Sequence, residues 1–126
     1  MVSMIPIHCW RCIMLVIRFE DRVGNGPYAN PTLNFKEKHA SKPLPVDEGL
    51  PLISCATRSG FSGRDYAEAW NRATQWFSPR DIAHMEELGF LVVEYEVPDN
   101  EVWASNTQCL FAIDNAVVVD SEHLDS

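Results

Sequence analysis

Beyond Arg80 the chain has no lysine and no arginine. All ten basic side chains lie in residues 1–80, where seven acids leave a net charge of +3; residues 81–126 hold eleven acids and a net charge of −11. The whole chain stands at −8, the wrong sign for a protein that grips nucleic acid through its phosphates. A block of one sign repels itself in the folded state. Its carboxylates must therefore be solvated or set against a basic partner.

Other absences narrow the field further. No apolar run approaches the roughly 18–20 residues of a membrane helix; the longest, Cys12 to Ile17, ends at Arg18. Met1 to Ile13 is a poor export signal, because His8 and Arg11 interrupt it and no small-residue cleavage site follows. A soluble cytoplasmic protein with no membrane partner is expected. Cys9 and Cys12 form a C-x-x-C beside His8, but Cys55 and Cys109 stand singly, and a zinc site draws on four ligands, usually as two pairs. His8, His39, His84 and His123 are scattered, so no metal is expected. Nucleotide-binding glycine loops, metalloprotease motifs and the nucleophile elbow are all missing. Gly24-Asn25-Gly26 runs into Pro27 and a loop, which is no phosphate cradle. Glu94 is the one carboxylate with apolar neighbours, and its strand mate Glu96 has the character of a solvated acid. No catalytic residue is assigned, and the balance leans away from an enzyme.

The 126 residues, 46% of them hydrophobic and 10% aromatic, suffice for one domain with its own core. Met14 opens a better strand than Met1 does, so residues 1–13 read as a loosely attached extension to a domain spanning 14–126. Cys12 to Phe19 is an apolar, β-branched strand. Glu20 to Asn34 is rich in glycine, proline and asparagine and reads as turns. Phe35 to Pro51 reads as a long irregular connection, of the kind that is functional or mobile. Leu52 to Thr57 is a candidate short strand. A helix is predicted from Ser62 to Trp76, capped by Ser62 and Asp65, with Tyr66, Trp70, Ala73 and Phe77 on its inner face. A second is predicted over Ser78 to Gly89, with a serine cap, Pro79 in the first turn, a glycine stop and Ile82, Met85 and Leu88 inside; His84 lies off that stripe and reads as exposed. Phe90 to Val97 is the strongest strand: Leu91, Val93, Tyr95 and Val97 face one way, Phe90, Val92, Glu94 and Glu96 the other. Val102-Trp103, Gln108 to Ile113 and Ala116 to Val119 are further extended pieces, the last two flanking a hairpin-like Asp114-Asn115 turn. The polar tail from Asp120 is expected to fray. Helices segregated from a mostly antiparallel sheet make an α+β domain.

The string Ile17-Arg18-Phe19-Glu20-Asp21, Gly24-x-Gly26-Pro27-Tyr28, Gly60-Phe61-Ser62, Gly89-Phe90, Tyr95-Glu96-Val97-Pro98 and Gln108-x-x-Phe111 resembles small uncharacterised proteins encoded by phages and prophages. The resemblance covers Met14 to Val119 and implies residence in the host cytoplasm. The same string resembles the ADP-ribosyltransferase fold. That likeness implies an NAD or nucleotide site, with Arg18 in the place of the gripping residue of the first strand and Gln108 in that of the late-strand motif. The usual catalytic glutamate is missing at Gln108-Cys109-Leu110, and an amide neither holds charge nor acts as a base.

Three readings follow. The first is an acidic phage-type inhibitor of a host defence or nucleic-acid-handling protein, needing no cofactor. It would dock on a basic surface, such as a nucleic-acid groove, through Glu94, Glu96, Asp99 and Glu101. The second is an NAD- or nucleotide-binding domain of ADP-ribosyltransferase type, with or without transfer activity, centred on Arg18, Tyr28 and Gln108. The third is a structural or dimerising protein with an exposed aromatic patch of Trp70, Trp76 and Trp103. Arg18, at the end of an apolar strand, needs a counter-charge in any of them, and Glu20, Asp21 or an acid of a neighbouring strand is expected to supply it.

Overall fold

The computed structural model describes residues 13–50 and 56–123. Its strands are β1 (Ile13–Glu20), β2 (Thr57–Gly63), β3 (Leu91–Pro98), β4 (Val102–Ala104), β5 (Cys109–Ala112) and β6 (Val117–His123); its helices are α1 (Phe35–Lys38), α2 (Tyr66–Trp76) and α3 (Pro79–Glu87). The strands make one sheet in the order β4-β5-β2-β1-β3-β6, antiparallel at every pairing. This is the predicted α+β class, and no helix among the described residues is long and apolar enough to cross a membrane.

The apolar run of β1 takes the middle of the sheet, where both faces are covered. Ile17 and Phe19 join Phe61, Val92 and Phe90 on one face and pack under Ala69, Ala73 and Phe77 of the α2 segment and Met85 of α3. Val16 joins Val93, Tyr95, Val97, Cys109 and Phe111 in a second cluster. In a flat sheet β3 and β5, with two strands between them, would lie about 14 Å apart. The Tyr95 and Phe111 ring centroids are only 5.2 Å apart, so the sheet curls over on this face.

The curl comes with a split. β1 pairs with β3 along its whole length, from Ile13 opposite Pro98 to Glu20 opposite Leu91. It pairs with β2 only from Leu15 opposite Gly63 to Ile17 opposite Phe61. Beyond that point β2 keeps company with β5, Gly60 facing Cys109 and Arg58 facing Phe111. Gly60 stands at the divergence, where a Cβ would come within 2.7 Å of the Ile17 carbonyl oxygen.

Several expectations need correction. The first long helix starts at Tyr66, with Asp65 as its cap, accepting from the Glu68 N–H at 2.8 Å. Ser62 belongs to β2, because Phe61 is needed in the core beside Ile17 and tertiary packing overrides the local capping pattern. Within α2, Tyr66 is exposed rather than inner, and Ala69 is the buried residue the pattern missed. The α3 signals hold: Ser78 and Asp81 form a capping box behind Pro79, and Gly89 takes the positive φ of a helix stop. Leu88, however, is exposed, and His84 is half-buried.

Residues 35–50 are not a bare connection. They contain α1 and a 3-10 turn over Pro45–Glu48, and Phe35 and Leu50 are buried. The strands around Asp114-Asn115 do not form a hairpin: β5 pairs with β2 and β4, while β6 crosses to the far edge beside β3. The expected frayed tail is strand as far as His123. Trp70 and Trp76 pack against the core, which leaves Trp103 as the exposed member of the supposed aromatic patch. The Leu52–Thr57 strand falls almost wholly outside the described residues, as do the N-terminal extension, Cys9, Cys12 and Cys55.

Candidate ligand-binding cleft

Where β1 and β2 part, a cleft of about 190 Å³ opens. Arg18 and Phe19 line it from β1, Ser59, Gly60 and Phe61 from β2, and Gly26 to Ala29 from the turn after β1; Trp76, Phe77 and Gln108 complete the wall. The three residues assigned to a nucleotide site, Arg18, Tyr28 and Gln108, therefore meet around one cavity. They are far apart in sequence and converge because the sheet splits.

Arg18 is only 8% exposed. Its Nη1 donates to the Gly24 carbonyl at 3.1 Å and lies 3.1 Å from Glu20 Oε2, the counter-charge expected from the sequence. Glu20 is itself anchored, since the Tyr95 hydroxyl donates to the same carboxylate oxygen. Burial, and then this bond and the Glu20 charge, drive the Tyr95 phenol well above its ordinary value, so it stays a donor. Arg18 Nε is itself sealed from solvent and has no hydrogen-bond partner among the described residues. An unpaired buried N–H costs on the order of 1–3 kcal/mol, more on a charged group. Gly26 lies against the guanidinium: a Cβ there would stand 2.9 Å from Arg18 Nη2, and the side chain would have to shift.

Tyr28 is held by a chain that sequence reading missed. Trp76 Nε1–H donates to the Tyr28 oxygen at 2.7 Å, Tyr28 and His39 Nδ1 are 2.6 Å apart, and His39 Nε2 lies 3.0 Å from Asp81 Oδ2. A carboxylate can only accept, so His39 carries a hydrogen on Nε2; in the neutral ring Nδ1 then accepts from the Tyr28 hydroxyl. Burial pushes the Tyr28 phenol up to about 12, with the Trp76 N–H pulling down and the Asp81 charge adding to the rise. His39 stacks on Phe35, centroids 4.7 Å apart. The one local clue was Phe35 four residues before His39, which puts the two rings on one side of a helical turn.

Gln108 is buried and its amide is oriented. Nε2 donates to Glu48 Oε1 at 2.6 Å and to the Pro43 carbonyl at 3.1 Å. Glu48 also accepts from the Ser105 and Thr107 hydroxyls, tying the 43–48 loop to the β4–β5 turn. What burial Glu48 has works to raise its carboxyl, but the Gln108, Ser105 and Thr107 bonds outweigh it and hold the group below the usual carboxylate value. Lys42 sits over the Trp76 ring, 5.0 Å from its centroid.

The acidic residues fall elsewhere. Glu94 and Glu96 share one face of β3; Glu94 faces Asp120 of β6 across the ladder and is half-buried, while Glu96 and Asp99 are exposed. Glu101 accepts from the Asn115 amide at 3.0 Å. Arg64, from the basic half, lines the same surface hollow as Glu96. Among the described residues no cluster of His, Cys, Asp or Glu could hold a metal ion. Cys109 is a buried thiol, pushed up to about 12 by burial against the pull of Ser62, Gly60 and Arg72.

The family model described as "Bacteriophage T4 Y00F protein" matches residues 14–125. The chain belongs to that family. The match spans the split sheet, both long helices and every residue of the cleft, and it bears out the resemblance to phage-encoded proteins. No curated protein and no solved structure matches the chain, so the likeness to ADP-ribosyltransferases finds no support from relatives of this Y00F-family chain.

The Glu48 bonds give a stability prediction with a definite sign. A carboxyl whose pKa is depressed in the fold stabilises at pH values above its unfolded pKa, and the stabilisation is lost as pH falls through the folded value. Glu48→Ala is expected to lower unfolding stability by about 1–2 kcal/mol at pH 7, and the gap to wild type should close below about pH 4. Urea titrations at pH 7, 5 and 3 measure it; a gap unchanged at pH 3 would show that the carboxylate bonds do not stabilise the fold.

Proposed function

We propose that the chain binds an NAD- or nucleotide-type ligand in the cleft between β1 and β2. The observation that carries this reading is Arg18: a guanidinium more than nine-tenths buried, lining a cavity, with Nε unpartnered. Glu20 and Gly24 occupy Nη1. A phosphate oxygen is an acceptor that suits the remaining side of the fork, and reaching Nε, which is sealed from solvent in the free chain, takes a local movement of the cleft wall. The other walls suit a planar ring, for Tyr28, Phe61, Trp76 and Phe77 supply aromatic surface against which a base or nicotinamide packs. Ser59 and Gln108 add a few polar groups among apolar ones, the usual make-up of a small-molecule site. At about 190 Å³ the cleft takes a ring and its first substituents, and the rest of a dinucleotide would lie along the rim. The proposal is of binding, not group transfer, because the late-strand position carries the amide of Gln108.

NAD at millimolar concentration is expected to raise the melting temperature of the wild-type chain by several degrees, and Arg18→Gln to abolish the shift. No shift for wild type with NAD, ADP-ribose or AMP would refute the reading.

We infer as a second reading a phage-type inhibitor of a host defence or nucleic-acid-handling protein, docking through the acidic end of β3. It is favoured by Glu96 and Asp99 being exposed, next to Glu101, in a segment of the chain that has no basic residue. Reversing Glu94, Glu96, Asp99 and Glu101 to lysine should weaken association with a partner captured at low salt by well over tenfold. Unchanged affinity would rule this mode out.

A further inference from the structure

The Asp81–His39–Tyr28–Trp76 chain has more order than a packing contact requires. Its donors run one way: Trp76 N–H to Tyr28, Tyr28 O–H to His39 Nδ1, His39 Nε2–H to Asp81. It joins four separate segments, namely the Pro27–Ala29 turn, the end of α1, the end of α2 and the first turn of α3. Two of its members, Tyr28 and Trp76, are walls of the cleft. The His39 side chain is 6% exposed, roofed by Phe35 and flanked by Phe77, so water cannot readily replace a lost partner.

We propose that His39 is the positioning residue of the cleft: neutral, it accepts from the Tyr28 hydroxyl and so orients the oxygen that receives the Trp76 indole N–H, and protonation takes that acceptor away. The proposal rests on the cleft being the ligand site. The reason is a count of donors and acceptors. A phenol oxygen bears one hydrogen, and its bonds lie close to the ring plane. With His39 neutral, one side of that oxygen receives the Trp76 N–H and the other directs its hydrogen to Nδ1. A proton on Nδ1 turns His39 into a second donor aimed at the same oxygen, so the Tyr28 O–H to Nδ1 bond is lost and the phenol hydrogen must turn elsewhere. The bond that fixes the orientation of this wall of the cleft goes with it.

The charged groups around His39 come from every element packed against it. Asp81 is in contact with Nε2; Lys38, Arg80, His84 and Glu87 line a hollow with Asp81; Lys42 lies over the Trp76 ring. Tyr28 stays neutral across the range.

The test follows the Trp76 indole N–H resonance in the free protein, and NAD affinity by calorimetry, from pH 8 to pH 5. In wild type the indole resonance should move between pH 8 and pH 5, and NAD affinity should fall roughly tenfold over the same range. His39→Leu should lose a similar factor at every pH. His39→Gln offers an acceptor to Tyr28 and a donor to Asp81 but does not titrate; it should recover most of what leucine loses and flatten both profiles. A wild-type indole resonance that is flat with pH, or one that titrates unchanged in His39→Gln, overturns the proposal. If NAD fails to bind at any pH while the indole still follows His39, the positioning role stands and the ligand reading falls.

Discussion

A guanidinium cannot be buried beside an apolar core unless its donors are met. Arg18 is placed by the strand that founds the sheet, directly after the residue where β1 stops pairing with β2. The neighbouring structure is arranged around that demand. Glu20 supplies the charge, Tyr95 fixes Glu20, the Gly24 carbonyl takes another N–H, and Gly26 lies against the guanidinium. One donor is still left over, and it belongs to a side chain that lines the cleft. Burial of a charge in an imperfectly closed shell is costly for stability, which is why we read it as provision for a ligand.

The long stretch between β1 and β2 converts the split in the sheet into a walled site. Residues 21–50 of it have little regular structure, and their order comes from two polar anchorages. At one end Tyr28 and His39 tie it to α2 and α3; at the other Glu48 ties it to Gln108 and the β4–β5 turn. Between these, Leu33, Phe35 and Leu50 enter the core. Backbone without ladder hydrogen bonds is held in this way when side chains from several elements converge on it, and the cleft takes its shape from both anchorages.

Much of this was legible before any coordinates. The period-two alternation of β3 separated two faces correctly, and Ser78, Pro79, Asp81 and Gly89 bounded α3, because both patterns encode local physics. That Arg18 needs a counter-charge followed from electrostatics alone, though Asp21 and the neighbouring strands were open alternatives to the Glu20 that supplies it. What was not legible depended on distant partners. Ser62 looks like a cap until Phe61 is seen to be required beside Ile17. Asp114-Asn115 looks like a hairpin turn, but β6 finds a better partner in β3. His39 stood alone among the histidines because its partners, Tyr28 and Asp81, are 11 and 42 residues away. The convergence of Arg18, Tyr28 and Gln108 on one cavity was suggested by a family resemblance, and the divergence of β1 from β2 is its physical cause.

The most direct measurement is a crystal structure of the chain grown with NAD or ADP-ribose. The account expects ligand density in the cleft between β1 and β2, with a phosphate oxygen within hydrogen-bond distance of Arg18 Nε and a planar ring against Tyr28 or Trp76. A cleft that stays empty, or a ligand bound elsewhere with Arg18 Nε still unpartnered, would contradict it.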